Sequence, residues 1–202
     1  VYINGAKAFI TANTSIVAGN LDPLETYSFF VRARDVAGNL SPNSNQVSAI
    51  TAFQGLNYKY YQGSWDALPD FNALSPVTLG NTPNVDISVR SSNDNFGFLW
   101  EGYITIPTTG SYTFETRSDD GSKLYIGTYD DNSTPLVNND GLHGTQSRTG
   151  TITLAAGSYP IAITFFEKGG GEVMEVYWQS SAAGISRQKI PNSAFTDNIS
   201  IP

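Results

Sequence analysis

The stretch SYPIAITFFEKGGGEVMEVYWQ, Ser158–Gln179, decides the fold class. In its first half Tyr159, Ile161, Ile163 and Phe165 recur at every second position. In its second half Met174, Val176 and Trp178 alternate with Val173, Glu175 and Tyr177. An extended chain points successive side chains to opposite faces, so both halves read as strands with one face turned to a core. The glycine-rich Lys168–Gly171 between them is a turn.

Working outward, the same period marks strands at Tyr103–Ile106, Ser111–Arg117, Lys123–Ile126 and Gly150–Leu154, beside Ser158–Glu167 and Glu172–Gln179. Pro107–Gly110 and Ala155–Gly157 supply further short turns. No segment shows helical periodicity, although Trp65–Leu74 has room for a helical turn. The fold class is therefore all-β, an antiparallel β-sandwich. Trp100 and Trp178 lie in alternating strands and belong to the core, whereas Trp65 lies in a loop region and is expected to be exposed.

Composition narrows the function classes. Only 14% of the 202 residues are charged, against roughly 25% in ordinary soluble proteins. Ser, Thr, Asn and the 19 glycines take their place, a palette common in secreted β-rich modules. The net charge of −7 repels a phosphate backbone and argues against a nucleic-acid partner. The chain has no cysteine and one histidine, which leaves few ways to build an activated nucleophile. Glycoside hydrolysis needs two acids facing each other across about 5–9 Å, and no acid stands out as an opposite number to another. No apolar run approaches the ~20 residues that span a bilayer, so membrane insertion is not expected. No signal peptide is visible, and the start at Val1-Tyr2-Ile3 reads as the middle of a strand in something longer.

The pattern breaks near Ala52–Gly55. Upstream, Phe29, Val31 and Ala33 alternate with Phe30, Arg32 and Arg34, the turn Asp35-Val36-Ala37-Gly38-Asn39 follows, and Gln46–Thr51 makes another short strand. The spacing of Leu21, Pro23 and Tyr27 matches a tyrosine corner. Residues 1–52 thus resemble the second half of a fibronectin type III module, a partial immunoglobulin-like sandwich lacking its first strands. Such a half-module is expected to pack on the following domain or to belong to a cleaved or truncated module. The domains expected are 1–52, 53–196 and a linker at 197–202.

From Gln54 to Phe195 several motifs occur in order. Tyr58-Lys59-Tyr60-Tyr61 opens the region, and Phe98-Leu99-Trp100-Glu101-Gly102-Tyr103 is followed by Tyr112-Thr113-Phe114. Then come Ser118-Asp119-Asp120-Gly121-Ser122-Lys123-Leu124-Tyr125-Ile126 and Asn138-Asn139-Asp140-Gly141-Leu142-His143-Gly144. Phe165-Phe166-Glu167-Lys168-Gly169-Gly170-Gly171-Glu172 closes the set. Together they resemble the anthrax protective antigen homology (PA-fourteen) domain. The resemblance implies an antiparallel β-sandwich of the kind attached to secreted glycosidases, adhesins and toxins. It also implies, from the family's lectin members, sugar binding through a calcium ion held by two consecutive aspartates joined by a cis peptide. Here these are Asp119 and Asp120, with Lys168–Glu172 as the loop that completes the site. Fungal lectins of the family place an asparagine ligand in that loop, whereas this chain offers three glycines and therefore only backbone carbonyls.

The chemistry of the residues leaves two readings of the acidic pair. Calcium takes six to eight oxygen ligands, and Asp119 and Asp120 with the carbonyls of Gly169 and Gly171 can begin such a shell. Alternatively, Asp-Gly is a good tight turn and the pair is a hairpin corner. Asp140, His143, Lys168, Gly170 and Glu172 are the candidate sugar contacts, although Asn138–Gly144 also reads as a loop held by side-chain-to-backbone bonds. Asp130-Asp131-Asn132-Ser133 lacks the spacing of a calcium loop and reads as an acidic insertion. The expectation is a non-catalytic, Ca2+-dependent, lectin-like module with a glycan or polysaccharide partner. It would be extracellular, secreted or at the cell surface, within a multidomain bacterial glycosidase or adhesin. The alternatives are a structural spacer or protein-interaction module, and an accessory domain that shapes a neighbouring glycosidase's active site.

Overall fold

The computed structural model describes residues 1–16, 18, 21, 25–51, 54–130 and 133–196. Asp22 and Pro23 of the tyrosine-corner reading, Ala52, Asp131, Asn132 and the linker at 197–202 lie outside the described residues. The chain forms two compact units, Val1–Phe53 and Gln54–Pro202. Among the described residues no helix is long and apolar enough to cross a membrane.

Unit 1 is one antiparallel sheet of β1 (Tyr2–Ile3), β2 (Ala6–Lys7), β3 (Thr26–Phe30) and β4 (Val47–Ile50), in the order β2-β1-β3-β4. Asn4 and Gly5, both at positive φ (48° and 80°), form the two-residue hairpin turn that matches strand twist. Tyr2 stacks on Phe30 with ring centroids 4.7 Å apart. Among its described residues none is buried.

Unit 2 is a two-layer antiparallel sandwich, the all-β architecture expected. Its strands are β5 (Leu56–Gln62), β6 (Thr78–Thr82), β7 (Phe96–Ile106), β8 (Gly110–Asp119), β9 (Ser122–Ile126), β10 (Val137–Asn139), β11 (Gln146–Leu154), β12 (Gly157–Glu167), β13 (Val173–Ser180), β14 (Ile185–Lys189) and β15 (Phe195–Thr196). The larger sheet runs β10-β9-β12-β7-β5-β6, with β15 also on β7, and the smaller runs β11-β8-β13-β14. Between them lies an aromatic core that includes Tyr60, Phe96, Phe98, Trp100, Phe114, Phe165 and Trp178.

The strand expected to begin at Tyr103 begins instead at Phe96. Alternation is hidden in Phe96–Trp100 because all five residues are buried. Phe96, Phe98 and Trp100 face the core, while Leu99 joins a second cluster with Tyr61, Phe71, Tyr125 and Ala162. Trp65 packs on that cluster, edge-on to Phe71 at 6.2 Å, and is half-buried rather than exposed. The helical turn between Trp65 and Leu74 is a 3-10 turn at Phe71–Ala73, capped by Asp70.

Along one edge of β7, Asn57–Gln62 of β5 pair with Glu101–Phe96, and Phe195 and Thr196 of β15 pair with Ile104 and Tyr103. Gly102 sits at the junction. A methyl group there would lie 2.7 Å from the Thr196 carbonyl oxygen and 2.8 Å from Leu56 Cδ2, so glycine lets the two strand ends meet.

Candidate functional site

Asp119 ends β8 and Ser122 begins β9, yet these strands belong to different sheets: β8 pairs with β11 and β13, β9 with β10 and β12. The Asp119–Gly121 segment is therefore a crossing from one layer to the other at the rim of the sandwich, not the hairpin corner of the alternative reading. Its Asp119–Asp120 peptide is cis. Ser118 and Ser122 close its base through hydroxyls 2.7 Å apart, and Asn139 Nδ2 donates to Ser118 Oγ at 2.9 Å. A side chain at Gly121 would collide with Phe166, 2.5 Å from the place of a Cβ.

Backbone amides from two loops hold Asp120, which is 5% exposed. The His143 N–H donates to Oδ1 at 3.0 Å and the Lys168 N–H to Oδ2 at 3.1 Å. Asp119 Oδ2 accepts from the Thr145 hydroxyl at 3.1 Å, and a methyl group on Gly171 would lie 3.7 Å from the same oxygen. Val173 pairs in register with Asp119, which fixes the far end of the triple-glycine loop beside the acidic pair. Among the described residues, Lys59, Arg90, Arg117, Lys123, Lys168, Arg187 and Lys189 form ion pairs with other acids, and neither Asp119 nor Asp120 has one.

A third carboxyl lies close by. The alternation that buries Ile161, Ile163 and Phe165 continues to Glu167, which is 0% exposed with neither oxygen hydrogen-bonded in good geometry. Burial first, and then the charges of Asp120 and Asp119, push its pKa up to about 8, against a weaker pull from the Gly169 and Asp120 amides. Two negative groups thus act on a buried third, though no three acids or histidines converge closely enough to hold a metal by side chains alone among the described residues.

The other predicted contacts are occupied. Asp140 accepts from the Leu68 N–H at 2.7 Å and pairs with Lys123 Nζ at 2.7 Å. His143 reaches Asp120 only through its backbone, and its ring nitrogens lie 3.0 Å from the carbonyls of Gly144 and Asn139. It is half-buried, a peg inside its own loop. Lys168 Nζ pairs with Asp66 at 2.5 Å, and Glu172 lies 3.6 Å from Arg90. Gly170, at φ +123°, needs its glycine. The structure thus gathers Asp119, Asp120 and the glycine loop, and engages the side chains of Asp140, His143, Lys168 and Glu172 elsewhere. Sequence reasoning missed Thr145 and Glu167. The period-two pattern of β12, carried two residues past Phe165, signals Glu167; nothing in the sequence signals Thr145.

The family model of the PA14 domain matches residues 55–190. Among solved structures, the PA14 domain of the MpAFP antifreeze protein superposes with a TM-score of 0.59 at 16% identity, over 76% of this chain and 96% of that one. The PA14 sugar-binding domain from an RTX adhesin does so with 0.51 at 17%, over 73% and 100%. The epithelial adhesin 9 A domain of Candida glabrata, in complex with Galb1-4GlcNAc, gives 0.50 at 14%, over 70% and 88%. At these identities the likeness is one of fold. No curated protein sequence matches the chain.

Proposed function

The chain belongs to the PA14 domain family, and from that premise we propose that residues 53–196 are a non-catalytic, calcium-dependent carbohydrate-binding module. One observation carries the reading: Asp119 and Asp120 stand at a sandwich rim with no cationic partner among the described residues, beside a loop of three glycines. Each carboxylate oxygen has further lone pairs after accepting one hydrogen bond. Such a donor set, hard oxygens with excess negative charge, fits Ca2+. Asp119 and Asp120 would hold the ion, with the carbonyls of Gly169 and Gly171 adding to the shell. Calcium, when bound, would supply an oxygen-seeking centre suited to vicinal sugar hydroxyls. The amides of His143 and Lys168 keep the Asp120 carboxylate from rotating, and Thr145 does the same for Asp119. The sugar-binding domain and the glycan complex among the structural neighbours support a saccharide as the ligand. A glycan partner suits a secreted or cell-surface parent protein in which the module tethers other domains to polysaccharide.

Calorimetric calcium titration followed by glycan-array binding with and without chelator tests this reading. Glycan binding should appear with calcium and vanish with chelator or in Asp119→Ala. Binding that survives both removes calcium from the mechanism, and a calcium-loaded chain that binds no glycan removes the lectin role.

A further inference from the structure

Gly169, Gly170 and Gly171 have no side chains with which to fix their own loop, and glycine has the widest choice of backbone conformations to lose. The residues on either side are tied down instead. Before the run, Lys168 donates its N–H to Asp120, and its Nζ lies 2.5 Å from Asp66 Oδ1 on the segment that carries Trp65. After it, Glu172 lies 3.6 Å from the Arg90 guanidinium, and Val173 is in register with Asp119. Each end thus has one bond to the acidic strand and one ion pair reaching outward, with opposite sign at the two ends.

We propose, building on the calcium reading above, that Lys168–Asp66 and Glu172–Arg90 are positioning pairs that clamp the triple-glycine loop. Its carbonyls then stand in place before a cation reaches Asp119 and Asp120. Lys168 and Glu172 serve the site through the loop, and not as sugar contacts. Preorganisation of this kind raises affinity by removing an ordering cost from the binding step.

The sign of one substitution separates the clamp from simple charge effects. Lys168 is a positive group beside a cation site, so by Coulomb's law alone its removal strengthens calcium binding. The clamp requires the reverse. The Lys168–Asp66 pair is exposed, and pairs of this kind are worth at most about 1 kcal/mol, so the expected loss is at most about fivefold in affinity.

The experiment uses the whole chain and calcium chloride, with calorimetry for affinity and 15N relaxation of the three glycine amides measured without calcium. Lys168→Met should weaken calcium binding up to about fivefold and raise the mobility of Gly169–Gly171, with the thermal midpoint lowered by no more than about 2–4 °C. Lys168→Arg should behave as wild type, and the swap Asp66→Lys with Lys168→Asp should recover most of the loss. Calcium binding in Lys168→Met that is unchanged or tighter overturns the clamp. A wild-type chain that takes up no calcium overturns the cation reading. In that case, glycine mobility that still rises in Lys168→Met upholds the clamp, and mobility that stays the same overturns it too.

Discussion

Unit 1 and unit 2 are both antiparallel and both rich in aromatic residues, yet among the described residues only unit 2 has a core. Unit 1 is one sheet, and even its best aromatic contact, Tyr2 on Phe30, leaves both rings half-exposed. Unit 2 lays a four-stranded sheet on a seven-stranded one and brings Phe96, Phe98, Trp100, Phe114 and Phe165 to zero exposure. A sheet has two faces, and burial begins only when a second layer covers one of them. In unit 2 the Trp65–Leu74 segment covers part of the outer face as well. The acidic corner depends on that layering, since at Asp119–Gly121 the chain crosses between sheets.

The largest test of this contrast is Trp100→Ala, which should cost unit 2 about 3–5 kcal/mol by opening a cavity in a close-packed interior. All three tryptophans lie in unit 2, so a urea titration followed by tryptophan fluorescence reads that unit alone. Gly150→Ala comes next. A methyl group there would fall 2.0 Å from the Leu136 carbonyl oxygen, and overpacking of this kind costs about 1–3 kcal/mol in the same titration.

A smaller effect should appear with pH. Burial raises the pKa of Glu175, but hydrogen bonds from Lys189, Arg117 and Tyr177 outweigh it and leave the group at about 2, below its ordinary 4.5. A carboxyl depressed on folding contributes stability that is present above the unfolded value and lost as pH falls from about 4.5 towards 2. Glu175→Gln should therefore flatten the acid limb of a thermal-midpoint profile over that window and lower the midpoint slightly at neutral pH. A profile that keeps its acid slope would show that Glu175 carries none of it. The smallest effect belongs to unit 1. Phe30→Ala removes one stacked pair from a surface without a core, and about 1 kcal/mol or less is expected. Amide exchange in β3 should barely change, and a loss comparable to that of Trp100→Ala would mean that unit 1 is far better packed than its exposure implies.

Where large apolar side chains alternate with small or polar ones the sequence is easy to read, even in Ile161–Glu167, which is buried on both faces. β12 and β13 were found almost to the residue from Ile161, Ile163, Met174 and Val176. Phe96–Trp100 was not, because Leu99 on the outer face is as apolar as Phe98 and Trp100 on the core face and masks the alternation that identifies a strand. The acidic pair was legible as a motif, and its loop could be named from the three glycines. What Lys168, Glu172 and Asp140 bind was not legible, because their partners Asp66, Arg90 and Lys123 lie up to 102 positions away. Glu167 was within reach of the pattern, but a charged residue on an inward-facing position is easily taken for the end of the strand.

The collinear arrangement of β15 and β5 on β7 has a mechanical meaning. β5 starts at Leu56 and β15 ends at Thr196, and both points meet at Gly102. A pull applied at these two points would act on one place along the β7 edge, where Leu56 and Phe195 root both strand ends in the core. Ile161, which pairs with Gly102, is six residues along β12 from Glu167, roughly 20 Å at ~3.3 Å per residue. The acidic corner is therefore well separated from the place where such a pull would act, and Asp119, Asp120 and the glycine loop would feel it only through the intervening length of β12.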